Sequence, residues 1–284
     1  MSKNPENINL GKVWKIMNKI WPKYSESLPT AKLNHVGRLI SAPSEIKKLL
    51  AKEYRERLRT RTMRSDMSYL KEKKKRIFQM KLKLATSNKS KPWTIRDLEL
   101  ALKNLKNNKS RDPEGLINEI FKINVIGTDL KNSLLMMFNA LKREQLIPNF
   151  MKKTTITTIP KKGSKQKLEN ERGIFRVSVI RTILMRLIYN QYYSKIDSNI
   201  SDCQMGGRKS KGCRNNIFII NGIIHDVMSS QKKQPVLLQI YDYRQMFDAI
   251  YLEEAISDIC DAGCKDDNLP LLYEANKEIT VKVN

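Results

Sequence analysis

Hydrophobic residues recur at helical spacing along most of the chain, so the pattern predicts a protein rich in α-helix. Ser44 can cap a helix that begins at Glu45. The predicted apolar face of that helix consists of Ile46, Leu49, Leu50 and Tyr54. A second helical stretch runs from Ser68 and contains the basic run 73–76. That run is interpreted as a solvated face, a nuclear import signal or an RNA contact.

Capping residues, glycines and prolines divide the rest of the chain into further helices and strands. Thr94 and Asp97 form a capping pair for the next helix, although Asp is shorter than the Glu usual at that position. Helices are also expected over 128–144, 180–188, 217–227 and 252–262, the last ending at Gly263. Two segments have the pattern of strands: 154–160, which alternates and ends at Pro160, and 235–243, a short apolar run. We therefore predict a helix-rich α+β fold.

Charge is distributed unevenly along this pattern. The chain has a net charge of +25 over 284 residues. Residues 1–90 hold 23 basic and 7 acidic side chains, residues 91–235 hold 27 and 12, and residues 236–284 hold 4 and 10. Such a balance is typical of a protein that binds a polyanion, while the alternative is a basic soluble protein without one.

Several classes of protein are not expected. No apolar run approaches the length of about 18 residues that spans a bilayer, so no membrane partner is predicted. The N-terminus lacks the apolar region of a secretory signal. Cys203, Cys213, Cys260 and Cys264 do not have the spacing of a metal–thiolate site.

Two features could carry chemistry. Asp242 ends the predicted strand 235–243, where its carboxylate could bind Mg²⁺, although an Asp there is more often a turn former or a helix cap. One carboxylate cannot hold the two cations of a phosphoryl-transfer site. The basic loop with Lys161, Lys162 and Gly163, followed by Arg172, could bind a triphosphate, or it could be a solvated hairpin.

The order of these pieces resembles reverse transcriptases of non-LTR (LINE-type) retrotransposons. Those proteins carry, in order, blocks of the form K-x-x-G-P-D-G-I, I-P-K-K-G, N-Y-R-P-I-S, D-x-Q-F-G-F-R and D-x-x-x-A-F-D. Here the blocks stand at 109–116, 159–163, 170–174, 202–208 and 242–248. The resemblance implies a partial right-hand polymerase, with fingers and the first part of the palm over 91–284 and a basic helical extension over 1–90.

The resemblance also implies roles around the nucleotide. Asp242 matches the catalytic carboxylate that binds Mg²⁺, or Mn²⁺ in its place, and the backbone carbonyl of Tyr243 would be a further ligand. Phe247 matches the residue that excludes a ribose 2′-OH. Arg172 matches an arginine that binds the incoming dNTP, and Lys161 or Lys162 matches the lysine beside it.

The remaining matched residues concern the nucleic acid. Gln204 and Arg208 match the block that lies near the template strand, and Asp248 would support the fold. The expected partners are an RNA template, a DNA primer and dNTP, and the expected location is the nucleus and cytoplasm. The reaction would be attack of a primer 3′-OH on the dNTP, assisted by two metal ions.

The chain also departs from the pattern. The Q-G-x-x-L-S-P block, the A-D-D hairpin with the other metal-binding carboxylates, and the thumb are absent from the sequence. The usual Tyr-Arg-Pro is Glu171-Arg172-Gly173. We therefore expect a truncated polymerase that is inactive alone, with exposed apolar surface where the second half of the palm would pack. The alternatives are a non-catalytic RNA-binding protein from the same kind of element and, less favoured, a group II intron maturase.

Overall fold

The fold is taken from a computed structural model. It describes residues 33–35, 38–63, 67–87, 91–122, 125–161, 167, 170–229, 237–242 and 250–283. Within these residues the protein is a helix-rich α+β structure, as predicted.

The helices follow one another with few strands between them. Their bounds are α1 Pro43–Met63, α2 Met67–Thr86, α3 Ile95–Lys103, α4 Thr128–Glu144, α5 Asn149–Lys152, α6 Val179–Ser198, α7 Cys213–Ser229, α8 Leu252–Asp261 and α9 Asn268–Asn276. A short 3₁₀ helix covers Asn118–Phe121. The strands are β1 Leu33–His35, β2 Arg38–Ile40, β3 Lys153–Pro160, β4 Glu171–Val177 and β5 Thr280–Val283.

The strands form two small sheets. β1 and β2 pair antiparallel, with Leu33 opposite Ile40. The other sheet has the order β4-β3-β5. The predicted strand 154–160 is confirmed as β3, whereas β4 and β5 were not foreseen.

The chain divides into two compact units. The smaller contains the described residues up to Tyr54, those of Ile156–Phe175, and Val283. The larger contains the described residues of Arg55–Thr155 and Arg176–Lys282. The division falls within α1 and within the β4-β3-β5 sheet, and α2 lies in the same unit as the helices that follow residue 90.

The main core belongs to the larger unit. It is built mainly from α3, α4, α6, α8 and α9, and its fully buried side chains include Trp93, Leu98, Phe138, Leu184 and Leu269. The predicted capping box is present at α3: the Asp97 N–H donates to Thr94 Oγ1 at 3.3 Å, and the Thr94 N–H donates to Asp97 Oδ2 at 2.8 Å.

Polar groups support this core around one tryptophan. The Trp93 N–H donates to Asn139 Oδ1 at 2.7 Å, and its indole N–H donates to Gln191 Oε1 at 3.0 Å. Lys142 Nζ lies 4.6 Å from the centre of the Trp93 ring and donates to the Lys91 carbonyl at 2.9 Å. These bonds compensate the desolvation of the buried polar groups.

The predicted strand 235–243 is wrong for residues 237–242, which have no regular structure. Leu237, Leu238, Ile240 and Tyr241 are all exposed there. A strand must satisfy its N–H and C=O groups on a neighbour, and neither of the two described sheets, β1-β2 and β4-β3-β5, includes residues 237–242. The described part of the chain therefore does not provide the burial that the apolar run predicted.

Exposed apolar surface is found in a second place as well. No residue of α7 is buried, although the helix is fully described. Its exposed apolar side chains are Ile217, Phe218, Ile219, Ile220, Ile223, Ile224 and Met228. Exposed apolar side chains thus occur both on α7 and at 237–241. In the part of the chain described, no helix has the length and apolarity needed to cross a bilayer.

Candidate functional site

The basic hairpin formed by β3 and β4 brings two of the predicted nucleotide-binding residues close together. Lys161 directly follows β3, and its N–H donates to the Asn170 carbonyl at 2.6 Å. Asn170 stands two residues before Arg172, which lies on β4 with an exposed side chain. Because β3 and β4 are adjacent in the sheet, both cationic residues lie at the same end of this hairpin. Lys162 lies outside the described residues.

A close contact lies under the strand that carries Arg172. A Cβ placed on Gly173 would be 2.7 Å from Tyr54 Oη and 2.8 Å from Tyr54 Cε1. Tyr54 is buried at the inner face of α1, together with Ile46 and Leu50. Only glycine allows the backbone of β4 to approach the ring so closely.

A buried carboxylate fixes the turn after α3 to the start of α6. Asp112 Oδ1 accepts the N–H groups of Glu114 at 2.9 Å and Leu116 at 2.8 Å. Its Oδ2 accepts the N–H of Val179, the first residue of α6, at 2.9 Å. Asp112 therefore caps a helix that is distant in sequence and ties the 109–116 block to the segment directly after β4.

Asp242 is exposed at the end of the irregular segment 237–242. It belongs to the larger compact unit, whereas Lys161 and Arg172 belong to the smaller one. Among the residues that the structure describes, no group of three or more His, Cys, Asp or Glu side chains could hold a metal ion. Tyr243, Phe247 and Asp248 lie outside the described residues.

The predicted template-binding residues lie in the turn between α6 and α7. Gln204 is exposed. Arg208 Nε donates to Asp197 Oδ1 at 2.8 Å, its other nitrogens reach the carbonyls of Ser201 and Asp197, and its side chain is only 7% exposed. The Arg208 guanidinium therefore holds the turn to the C-terminal end of α6. On this turn the side chain of Gln204 is exposed to solvent, whereas that of Arg208 is not.

The same ion pair changes the acidity of its carboxylate. The hydrogen bond from Arg208 lowers the pKa of Asp197 below its ordinary value, with a further contribution from Tyr193. The hydrogen bond to Asp197 in turn raises the pKa of Arg208. Next to the pair, Lys209 Nζ lies 4.0 Å from the centre of the Tyr193 ring. Lys209 and Gln204 are both exposed on the turn between α6 and α7.

The sequence did not reveal the contacts of the basic helix α2. Lys73 Nζ donates to Ser257 Oγ of α8 at 3.2 Å, and Lys81 forms an ion pair with Glu274 of α9. Burial raises the pKa of Glu274, but the hydrogen bond and charge of Lys81, with other nearby lysines, outweigh it, so the net pKa is lowered. The opposite net charges of residues 1–90 and 236–284 were the one feature of the sequence that could have indicated contacts between α2 and the C-terminal helices.

No model of a known protein family matches the chain.

Proposed function

We propose that this chain is the fingers and first part of the palm of an RNA-directed DNA polymerase of the LINE type. In the complete enzyme a primer 3′-OH would attack a dNTP with the help of two Mg²⁺ ions. The observation that carries the proposal is the basic hairpin, in which Lys161 directly follows β3 and Arg172 is exposed on the adjacent strand β4, beside Gly173. Two cationic groups at one hairpin end suit a triphosphate.

The described donor set does not fit a two-metal centre by itself. Asp242 is one exposed carboxylate, and two cations need several such ligands. The steps that we assign to this chain are therefore binding steps. The hairpin binds and orients the triphosphate, the turn with Gln204 contacts the template strand, and Phe247 excludes ribonucleotides.

Binding of dTTP to the chain in the presence of Mg²⁺, followed by ³¹P NMR, tests the hairpin. Arg172→Ala should weaken binding about 10- to 100-fold, because a charge-assisted hydrogen bond to phosphate contributes about 1.5–3 kcal/mol. The matched control is Arg143→Ala on α4, since Arg143 is 69% exposed and bound to Glu144. Equal affinities for wild type and Arg172→Ala would remove the hairpin from the proposal.

The second candidate function is non-catalytic RNA binding. It is favoured by the basic residues of α2 and by the net charge of the chain. If about five phosphates are neutralised, log K should fall against log salt with a slope of about −3.5 for single strands. Asp242→Asn separates the two functions, since RNA binding should survive it and nucleotide incorporation in a completed enzyme should not.

A further inference from the structure

Besides Lys81, which pairs with Glu274, two cations of α2 are paired with carboxylates of the acidic C-terminal segment. Lys74 Nζ lies 3.6 Å from Glu253 Oε1, and Arg76 Nη2 lies 3.0 Å from Asp261 Oδ1. Both carboxylates belong to α8. We call these two contacts the α2–α8 ion pairs. They join the basic end of the chain to a segment whose own net charge is negative.

The ion pairs are not what holds α2 in place. Ile77 is 4% exposed and belongs to the main core, and Leu70 is 8% exposed. Met80 Sδ lies 3.2 Å from Cys260 Sγ of α8. Burial of such side chains stabilises a helix–helix contact more than these ion pairs do, because the cation of each pair is mostly exposed and is screened by solvent and salt. The ion pairs can therefore open without releasing the helix.

The paired cations remain within reach of a ligand. The side chain of Lys74 is 59% exposed and that of Arg76 is 61% exposed. Lys71 and Lys75 are exposed on the same helix. A phosphate could therefore approach Lys74 and Arg76 from solvent and replace the carboxylate that each now contacts.

An exposed aromatic ring on α2 indicates which polyanion fits. Phe78 is 61% exposed and stands three residues after Lys75 and four after Lys74, so all three lie on one side of the helix. Cations beside an exposed aromatic ring are the combination that single-stranded nucleic acids use, since phosphates bind the cations and a base stacks on the ring. A duplex, whose bases are already stacked, would leave Phe78 unused.

We propose that α2 binds single-stranded nucleic acid and that Glu253 and Asp261 act as internal counter-ions, which phosphates displace from Lys74 and Arg76. The inference rests on the proposed function for its ligand class. Its new content is the location on α2 and the competition by α8. In the free protein these carboxylates reduce the number of cations available to phosphate, so they weaken binding.

The test uses the full chain with the double substitution Glu253→Gln and Asp261→Asn. The matched control is Asp226→Asn with Asp258→Asn, which removes the same charge from two exposed carboxylates outside the α2–α8 ion pairs. Binding of a fluorescent 20-nucleotide oligo(U) is measured by anisotropy between 50 and 200 mM salt. Circular dichroism melting checks that both variants fold.

Because phosphates displace both carboxylates in the control as well, the two variants should show similar salt slopes. The Glu253/Asp261 variant should bind oligo(U) about 2- to 30-fold more tightly than the control at 50 mM salt, since it has no ion pairs to break. Adding Lys74→Gln and Arg76→Gln to the Glu253/Asp261 variant should abolish this gain.

Equal affinities of the Glu253/Asp261 variant and the control for oligo(U) would overturn the competition and leave the proposed function standing. Absence of binding by wild type and both variants would instead overturn nucleic-acid binding itself. A gain that persists after the additional Lys74→Gln and Arg76→Gln substitutions would place the binding surface elsewhere than α2.

Discussion

Gly173 is where a single atom decides the packing of the basic hairpin. Gly173→Ala would place a methyl group 2.7 Å from Tyr54 Oη, so the buried ring or β4 must shift. Overpacking of this kind costs about 1–3 kcal/mol. Amide hydrogen exchange in β3 and β4 should accelerate accordingly, by about 5- to 150-fold.

The control for this prediction is Gly206→Ala, because a Cβ at Gly206 meets nothing within 4 Å. Its exchange rates should match those of the wild type. Unchanged exchange in Gly173→Ala would show that the contact with Tyr54 is not limiting.

Asp112 is the residue whose removal should damage the larger unit most directly. Asp112→Ala leaves the N–H groups of Glu114, Leu116 and Val179 without their acceptor, in a position that is 8% exposed. We expect a loss of about 2–4 kcal/mol in the free energy of unfolding, measured with urea. Asp129→Ala, an exposed residue in the first turn of α4, should cost less than about 1 kcal/mol. Comparable losses in the two variants would contradict the capping role.

At the scale of elements, two adjacent residues of α2 allow its packing against the core and its proposed binding of nucleic acid to be tested separately. Ile77 is 4% exposed and Phe78 is 61% exposed. Ile77→Ala should lower the free energy of unfolding by about 2–5 kcal/mol. Phe78→Ala should leave stability nearly unchanged and weaken oligo(U) binding by about 1–3 kcal/mol. Anisotropy and urea denaturation on both variants check this, and a Phe78→Ala protein with wild-type affinity would contradict the base-stacking role.

The turn between α6 and α7 should depend on pH through Asp197. Because the pKa of this carboxyl is lowered below its ordinary 3.8, its ion pair stabilises the turn above that value, and the contribution is lost as pH falls through the lowered pKa. NMR titration of Arg208→Gln should show the pKa of Asp197 moving up towards 3.8. A titration identical to that of the wild type would mean that Arg208 is not the cause.

Elements defined by neighbouring residues could be read from the sequence. The Thr94–Asp97 capping box and the alternating strand β3 depend on contacts within a few residues, and both are present. The segment 237–242 could not be read correctly, because a strand depends on a partner that an apolar pattern does not reveal. The capping of α6 by Asp112 was missed for the same reason, since its donor is 67 residues away.

At the scale of the whole molecule, the sequence predicted the class of the fold but only part of the candidate site. Pairing of β3 with β4 brings Lys161, which directly follows β3, close to Arg172 on β4, and their role in nucleotide binding stays a prediction. The net charges of the two ends were visible in the sequence, but their pairing through α2 and α8 was not. Opposite charges do not indicate which residues meet until apolar burial has fixed the helices.

The most direct test of the polymerase proposal is primer extension by a chimera. Residues 91–284 replace the equivalent region of an active LINE-type reverse transcriptase, and binding to an RNA template with a DNA primer confirms that the chimera folds. We expect incorporation of dNTP that is abolished by Asp242→Asn and retained in Asp258→Asn. A chimera that binds primer and template without extending the primer, or extension that Asp242→Asn leaves unchanged, would contradict the account.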